Sequence, residues 1–327
     1  MTTGDYGDKA DKLLIYIPCH TDFRDAIDQA IFISNEFNLI EQKENDRLLE
    51  LHLHISVNGT ELNSTQLGRI QDVTQSYTYT NVNIGADSNI SNGFTLGAES
   101  NNSFLWILSA NERLIPGGLS LIVKGLSQMS GRQILLIGND KNFELPTLGN
   151  SFQEALQGRP LGLISSVIFN STLCRNSFYI ASQYSWTGWG QLSVLDDIQR
   201  NVKEMRCVNV EHSSVYTLDA RKDFDKSKEF ERIGRTYSRS FFGLPVLVNQ
   251  VYAPPNKFGR LFMRRWLMRN IHLIAYFESF ISDPQSVRVR RMFDETLRNS
   301  GKLNQLLHAV FSNNFWLIIY RLIKNGK

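Results

Sequence analysis

Cysteine is scarce in this 327-residue sequence. Cys19, Cys174 and Cys207 stand far apart, too few and too scattered for a disulfide frame or a zinc site, and in keeping with a reducing cytosol. No run of eighteen apolar residues occurs, so no spanning helix is expected. The opening MTTGDYGDKADK is polar and holds no apolar stretch of signal-peptide length before the first hydrophobic run. Internal repeats and low-complexity tracts are absent as well. Acid is missing from one end of the chain: Asn256 to Lys327 carries 13 Lys and Arg against 4 Asp and Glu, leaving 22 against 28 in the rest. What remains is ordinary globular material, 42% hydrophobic and 20% charged, enough for one large domain with an appendage or two modest domains.

Short apolar runs alternate with helical patterns over the first two-thirds. LLIYIP (Leu13 to Pro18) reads as a central parallel strand, followed by a turn at Cys19-His20-Thr21 with Thr21 or Asp22 as helix cap. Phe23, Ala26, Ile27, Ala30, Ile31 and Phe37 then recur at helical spacing. LHLHISV (Leu51 to Val57) is a second strand, ending in the turn Asn58-Gly59-Thr60. Residues 61–80 suit a helix and connector. Ile90, Phe94 and Ala98 mark a further helix, FLWIL (Phe104 to Leu108) a buried strand, and Pro116 a helix start. QILLIG (Gln133 to Gly138) and LISSVIFN (Leu163 to Asn170) return to strand, separated by an Asn-, Gly- and Pro-rich loop over Asn139 to Pro160. Gly188 to Val202 is helical. Beyond Asp219 the chain looks mainly helical, in segments 222–252, 257–281, 286–299 and 302–324, with Ala253-Pro254-Pro255-Asn256 as a hinge. Such alternation implies a mostly parallel sheet covered on both faces, over residues 1–220, with a helical basic region over 221–327.

The most informative stretch is NVNIGADSNISNGFTLGAESNNSFLWILSANERLIPGGL, Asn81 to Leu119. A small-residue turn, a helix, a buried strand and a polar tetrad follow one another. That order places Ser109, Ala110, Asn111 and Glu112 where a parallel sheet opens onto a crevice. This segment, with LLIYIPCHTD and SVNGTE, resembles the nucleotide-sugar-binding core of inverting glycosyltransferases of family 2, which have the GT-A fold. The resemblance covers roughly residues 12–200. LISSVIFN, with Ser165 and Ser166, is further similar to the abequose-transferring enzymes of bacterial O-antigen assembly.

The resemblance implies a Rossmann-like α/β fold and a set of residue roles. Pro18, Cys19 and His20 would line the donor pocket. The family's base-contacting Asp would fall on Val57 or Asn58, depending on a one-residue shift, and the Asn58 amide still offers donor and acceptor to a uracil or cytosine edge; the alternative is an Asn-Gly turn. Asn83, Gly85 and Asn89 match the family's Asn-x-Gly…Asn pattern beside diphosphate and ribose, where Gly permits close approach and a helix start offers N–H groups. His52 and His54 share one strand face, which reads as a polar face rather than a metal pair.

The family's acidic tetrad, Asp-x-Asp-Asp, falls on Ser109, Ala110, Asn111 and Glu112, with one carboxylate left. Mg²⁺ or Mn²⁺ wants hard, charged oxygens. Three outcomes stay open, in this order. Glu112 and Asn111 hold an ion weakly with the donor diphosphate, or basic groups such as Arg113 replace it, or transfer has been lost and a binding or scaffold protein remains. An inverting transfer needs a general base, for which Asp196 and Asp197 are the available acids. Trp186, Trp189 and Gly190 would form a sugar-facing platform, with core packing as the alternative for the tryptophans.

The expected activity is therefore transfer of a sugar from a nucleotide-sugar donor to a glycan or lipid-linked acceptor in surface polysaccharide synthesis. The basic tail, with Arg260, Arg264, Arg265 and Arg269 among Phe, Met, Trp and Leu, points to a cytoplasmic protein peripheral on the inner face of the plasma membrane. The alternatives for that tail are a helical cap or a homo-oligomer interface. No recognised motif supports a nucleic-acid partner.

Overall fold

The computed structural model describes residues 11–20, 23–43, 49–110, 112–129, 133–137, 164–201, 206–210, 215–218, 226–251 and 257–312. Asn111, Thr21, Asp22, the expected 139–160 loop, the 253–256 hinge and everything after residue 312 lie outside them.

Two compact units form, Met1–Ser182 with Val194–Ala220, and Gln183–Ser193 with Arg221–Lys327. The stretch Gln183–Ser193, which the sequence assigned to the first 220 residues, thus packs with the helices.

The first unit is built on β1 (Asp11–Cys19), whose run of apolar side chains is buried on both faces as a central parallel strand requires. β2 (Leu49–Asn58) and β4 (Phe104–Ile107) flank it, both parallel to it. β3 (Ser76–Thr80), β6 (Gln133–Ile137), β7 (Val167–Asn170) and β8 (Arg206–Val210) complete a sheet of order β3-β2-β1-β4-β7-β6-β8. Of its strands β7 alone among those described runs antiparallel to its neighbours. A two-stranded antiparallel ribbon joins β5 (Glu112–Leu114) to β9 (Tyr216–Leu218). Helices α1 (Phe23–Lys43), α2 (Ser64–Val73), α3 (Ala86–Glu99), α4 (Gly118–Ser127), α5 (Ser171–Phe178), α6 (Ile180–Tyr184) and α7 (Gly190–Asn201) follow in chain order. The fold class is a mostly parallel sheet flanked by helices, as expected.

Local chemistry sets several of these boundaries. Asn63 Oδ1 accepts the Gln66 N–H while Gln66 Oε1 accepts the Asn63 N–H, both at 2.9 Å, a reciprocal box that starts α2. Three expectations need correction. Residues 61–80 hold not only a helix but the strand β3, whose SYTYT is β-branched and aromatic yet only half-buried, so it carries no apolar signal. LISSVIFN is a strand only from Val167; Ile164–Ser166 form a 3₁₀ turn, because Ser165 turns its carbonyl to Trp106 Nε1 at 2.8 Å and its hydroxyl to the Ser109 N–H at 2.9 Å. Pro116 precedes α4 by two residues, the helix starting after Gly117 at φ 82°.

The second unit comprises α8 (Lys226–Val251), α9 (Lys257–Arg269), α10 (Ile271–Glu278), α11 (Pro284–Asn299) and α12 (Lys302–Phe311). Phe241, Phe242, Trp266, Phe277 and Phe293 meet ring to ring in its core. The expected helix over 257–281 is broken at Asn270, whose side-chain amide donates to the Trp266 carbonyl at 2.8 Å and competes with the helical ladder. No helix among the described residues is long and apolar enough to cross a membrane.

Candidate functional site

Chain order and strand order diverge beside β1. The chain moves from β1 outward to β2 and β3, then returns to β4 on the other side. The connections leaving β1 and β4 therefore open a crevice at the carboxyl ends of these strands, where ligands bind in open α/β sheets. β2 and β4 stand two strand spacings apart, roughly 10 Å. The described sequence-selected residues gather on this edge: Pro18 and Cys19 end β1, Asn58 ends β2, Asn83 and Gly85 follow β3, and Ser109, Ala110 and Glu112 follow β4.

One wall is made by the β1, β2 and β3 ends. His20 Nδ1 lies 3.1 Å from the Asn58 carbonyl and its Nε2 lies 3.4 Å from Asn83 Nδ2. With Nδ1 protonated, both contacts are satisfied. Thr60 Oγ1 donates to the His20 carbonyl at 2.7 Å. Asn83 Oδ1 accepts the Gly85 N–H at 2.8 Å, a local turn that ends in Gly85 at φ 82° just before α3. His20 and Asn83 are exposed, so their polar atoms face solvent at the crevice rim. Asn58 lies beneath them, 1% exposed. Its Nδ2 donates to the Cys19 carbonyl at 3.2 Å, and its Oδ1 has no partner.

Asn89, expected to touch the donor, is buried and its side chain is fully engaged with the protein. Oδ1 accepts from Tyr16 Oη at 2.8 Å and Ser56 Oγ at 2.6 Å; Nδ2 donates to the Ser56 carbonyl at 3.0 Å and the Cys19 carbonyl at 3.3 Å. That uses the whole capacity of an amide. In this structure Asn89 ties α3 to the ends of β1 and β2, and any influence on a ligand passes through those strands. The network continues from Ser56 to Thr78 at 2.7 Å, and from Thr78 to His54 Nε2 at 3.3 Å. His52 Nε2 and His54 Nδ1 both meet Ser76 Oγ at 2.8 Å, so the two histidines form a polar strand face. Burial lowers the His54 pKa to about 4, with the neighbouring His52 adding to it, which keeps the ring neutral against Tyr16, 5.1 Å away and nearly parallel. Burial likewise raises the Tyr16 hydroxyl above its usual range.

On the β4 side of this edge stands Glu112, at the start of β5 and 4% exposed. Burial raises its pKa to about 7, opposed by hydrogen bonds from Ser165 and the Ser109 backbone. Its Oε2 has no partner. Ser165 drew notice in the sequence only through LISSVIFN, and its role here was missed: it joins the Ser109 N–H to Glu112 across a separation of over fifty positions, which leaves no local signal. Arg113, considered as a counter-charge for a leaving diphosphate, is already paired with Asp25 Oδ1 at 2.6 Å. That ion pair, with Glu36 accepting the Gly117 N–H at 2.7 Å, straps the segment after β4 along α1.

Among the described residues the donor set does not fit a resident divalent ion. Ser109 offers a neutral oxygen, Ala110 none, and Glu112 is the one carboxylate, with burial favouring its neutral form. Among the described residues no group of three or more His, Cys, Asp and Glu could hold a metal, whereas Mg²⁺ and Mn²⁺ require several hard oxygens.

The remaining expected residues lie elsewhere on the chain. Asp196 is buried in α7 and Asp197 is half-buried beside it. Trp186, Trp189 and Gly190 belong to the second unit. Trp189 Nε1 donates to the Ser240 carbonyl at 2.5 Å, and Trp186 Nε1 to the Gln183 carbonyl at 2.8 Å. Arg288 sits 5.8 Å from the Trp186 ring. Both indole N–H groups are thus spent on backbone, and Gly188 and Gly243 allow this turn to press directly on α8.

No family model matches the chain, and no curated protein matches it. Solved structures resemble it at low identity. TarS from S. aureus aligns at 10% identity and TM-score 0.47, covering 88% of this chain and 54% of that one, so the chain spans about half the length of that protein. Residues 1–349 of TarS in complex with UDP-GlcNAc align at 10% identity and TM-score 0.48, covering 97% and 92%. The mannosyltransferase PcManGT from Pyrobaculum calidifontis, in complex with GDP-Man and Mn²⁺, aligns at 8% identity and TM-score 0.43, covering 95% and 86%. Likenesses this distant leave function to be read from the site itself.

Proposed function

We propose that the chain is a glycosyltransferase that binds a nucleotide-sugar donor along the carboxyl edge of β1, β2 and β4. The observation that carries this reading is the convergence of His20, Asn58, Asn83 and Gly85 on one side of the strand-order reversal, with Glu112 on the other. Exposed ring and amide groups at the first wall suit a nucleobase and ribose; the partly protonated Glu112 can donate to or repel a diphosphate oxygen according to pH. In the transfer, an acceptor hydroxyl oxygen attacks the anomeric carbon, the bond from that carbon to the diphosphate breaks, and a base takes the hydroxyl proton, giving inversion. Asp197, partly exposed, and the buried Asp196 are the proposed bases, and a glycan or lipid-linked hydroxyl of a surface polysaccharide is the proposed acceptor. Trp186, Trp189 and Gly190 of the second unit are proposed as a platform for an acceptor sugar.

A second reading is favoured by one observation. A crevice whose tetrad keeps a single carboxylate, itself held near neutrality, has weak means of stabilising a leaving diphosphate, so the chain would bind a sugar nucleotide without turning it over. Incubation with UDP-, GDP-, CDP- and dTDP-sugars, followed by quantifying released nucleoside diphosphate, separates the two. The transferase reading expects slow release from one donor, reduced at least tenfold in Asp196→Asn or Asp197→Asn. Binding of one donor without release supports the scaffold; no binding by any donor sinks both.

A further inference from the structure

Helices α9 and α12 of the second unit pack against each other, and Asn304 Nδ2 donates to the Arg260 carbonyl at 3.1 Å near their first turns. Their outward faces are unusual. α9 buries Phe262, Met263, Trp266 and Leu267, which should leave its opposite face polar. Instead Leu261 and Met268 are exposed there. α12 is inverted outright, with Asn304 and His308 buried while Leu303, Leu306 and Val310 point outward. These five aliphatic side chains are between 48% and 63% exposed. Spacings of three and seven place each helix's set along one side.

Charge decides what such a face meets. Arg260, Arg265, Arg269 and Lys302 are exposed on the same two helices. Neither Lys257 to Phe277 nor Ser300 to Lys327 contains a single Asp or Glu. A second copy of this face would bring like charges together. A nucleic acid would pair with the arginines but gain nothing from aliphatic tips, since bases stack on aromatic rings. Apolar side chains bordered by arginines match the boundary between headgroups and acyl chains in an anionic leaflet.

We infer that the α9–α12 face docks on a bilayer bearing anionic lipid headgroups, with Leu261, Met268, Leu303, Leu306 and Val310 entering the acyl boundary and Arg265 and Arg269 pairing with lipid phosphates. The inference stands apart from the transfer reading, because vesicle binding is measured without any nucleotide.

The test is co-sedimentation of the full chain with phosphatidylcholine vesicles, neutral or containing about one-third phosphatidylglycerol. Binding is expected to the anionic vesicles alone and to weaken as salt rises. Arg265→Gln/Arg269→Gln should lower partitioning roughly 25-fold, at about fivefold per charge near the surface. Leu306→Gln/Met268→Gln should lower it by roughly tenfold. These side chains are exposed, so melting temperatures should not fall. Equal binding to neutral and anionic vesicles, no binding to either, or binding untouched by both double variants would overturn the inference. So would concentration-dependent self-association lost in Leu306→Gln, or salt-sensitive binding to a DNA duplex without binding to vesicles.

Discussion

Glu112 and Asn89 look alike in sequence, two polar residues in a stretch of similar ones, and the fold gives them opposite states. Asn89 has every polar atom bonded, while Glu112 has one oxygen with no partner and a carboxyl held near pH 7. Because the folded pKa lies above the ordinary 4.5, ionising Glu112 costs stability as pH rises from about 4.5 to about 7, and the cost is full above that range. We predict that Glu112→Gln stabilises the protein by about 3 kcal/mol at pH 8 and changes little at pH 4, measured by thermal melts across pH. A wild-type and variant difference that does not vary with pH would show that the carboxyl is not held this way. Asn89→Ala should cost about 3 kcal/mol, since Tyr16 and Ser56 lose their buried acceptor and two carbonyls lose their donor; urea unfolding midpoints check it. None of this was visible in the sequence, where Asn89 matched a ligand-binding pattern. Its partners Tyr16 and Ser56 come from β1 and β2, and spacing along the chain records nothing of such meetings.

Among the elements, α3 shows most plainly how sequence and packing combine. Gly93 faces Tyr16, and a Cβ placed there would lie 2.6 Å from the ring. Tyr16 cannot move away without leaving Asn89 and the stacked His54. We predict that Gly93→Ala costs about 2 kcal/mol through this overpacking, read as a lowered melting temperature. Gly85→Ala meets no atom within 4 Å and carries only the strain of φ 82°, about 1 kcal/mol. A larger loss at Gly85 than at Gly93 would contradict this ordering. The apolar runs of β1 and β4 were legible because a strand buried on both faces is apolar nearly throughout, and β2 because Leu51, Leu53, Ile55 and Val57 alternate with polar residues. β3 was not, since an edge strand of Ser, Thr and Tyr differs little from a polar connector. The short β5 was hidden likewise, because its pairing with β9 lies a hundred residues away. The helices beyond residue 226 were legible from their apolar spacing, yet α12 exposes residues that such spacing would place inside.

For the whole molecule, the division into two units assigns the Trp186–Trp189 turn to the helices. Its partners, Ser240 and Gly243 on α8, come after residue 221. We predict that a fragment beginning at residue 221 is far less stable than the same helices with residues 183–193 present, because Thr187 and Trp189 leave unfilled contacts on α8; circular dichroism melts of the two forms decide it. The strand-end residues His20, Asn58, Asn83 and Gly85 meet as their order along a parallel sheet implies, while the contacts of Ser165 and the pairing of Arg113 with Asp25 required the folded chain. The central claim is that this crevice binds a nucleoside diphosphate. The direct measurement is calorimetric titration of UDP, GDP, CDP and dTDP into the wild type and Asn83→Ala, a rim variant that removes only exposed atoms. One nucleotide should bind the wild type with a defined stoichiometry, and its affinity should fall roughly tenfold in the variant with the loss of one hydrogen-bonding group. Absence of binding by all four at millimolar concentration, or equal binding to both proteins, would contradict the account.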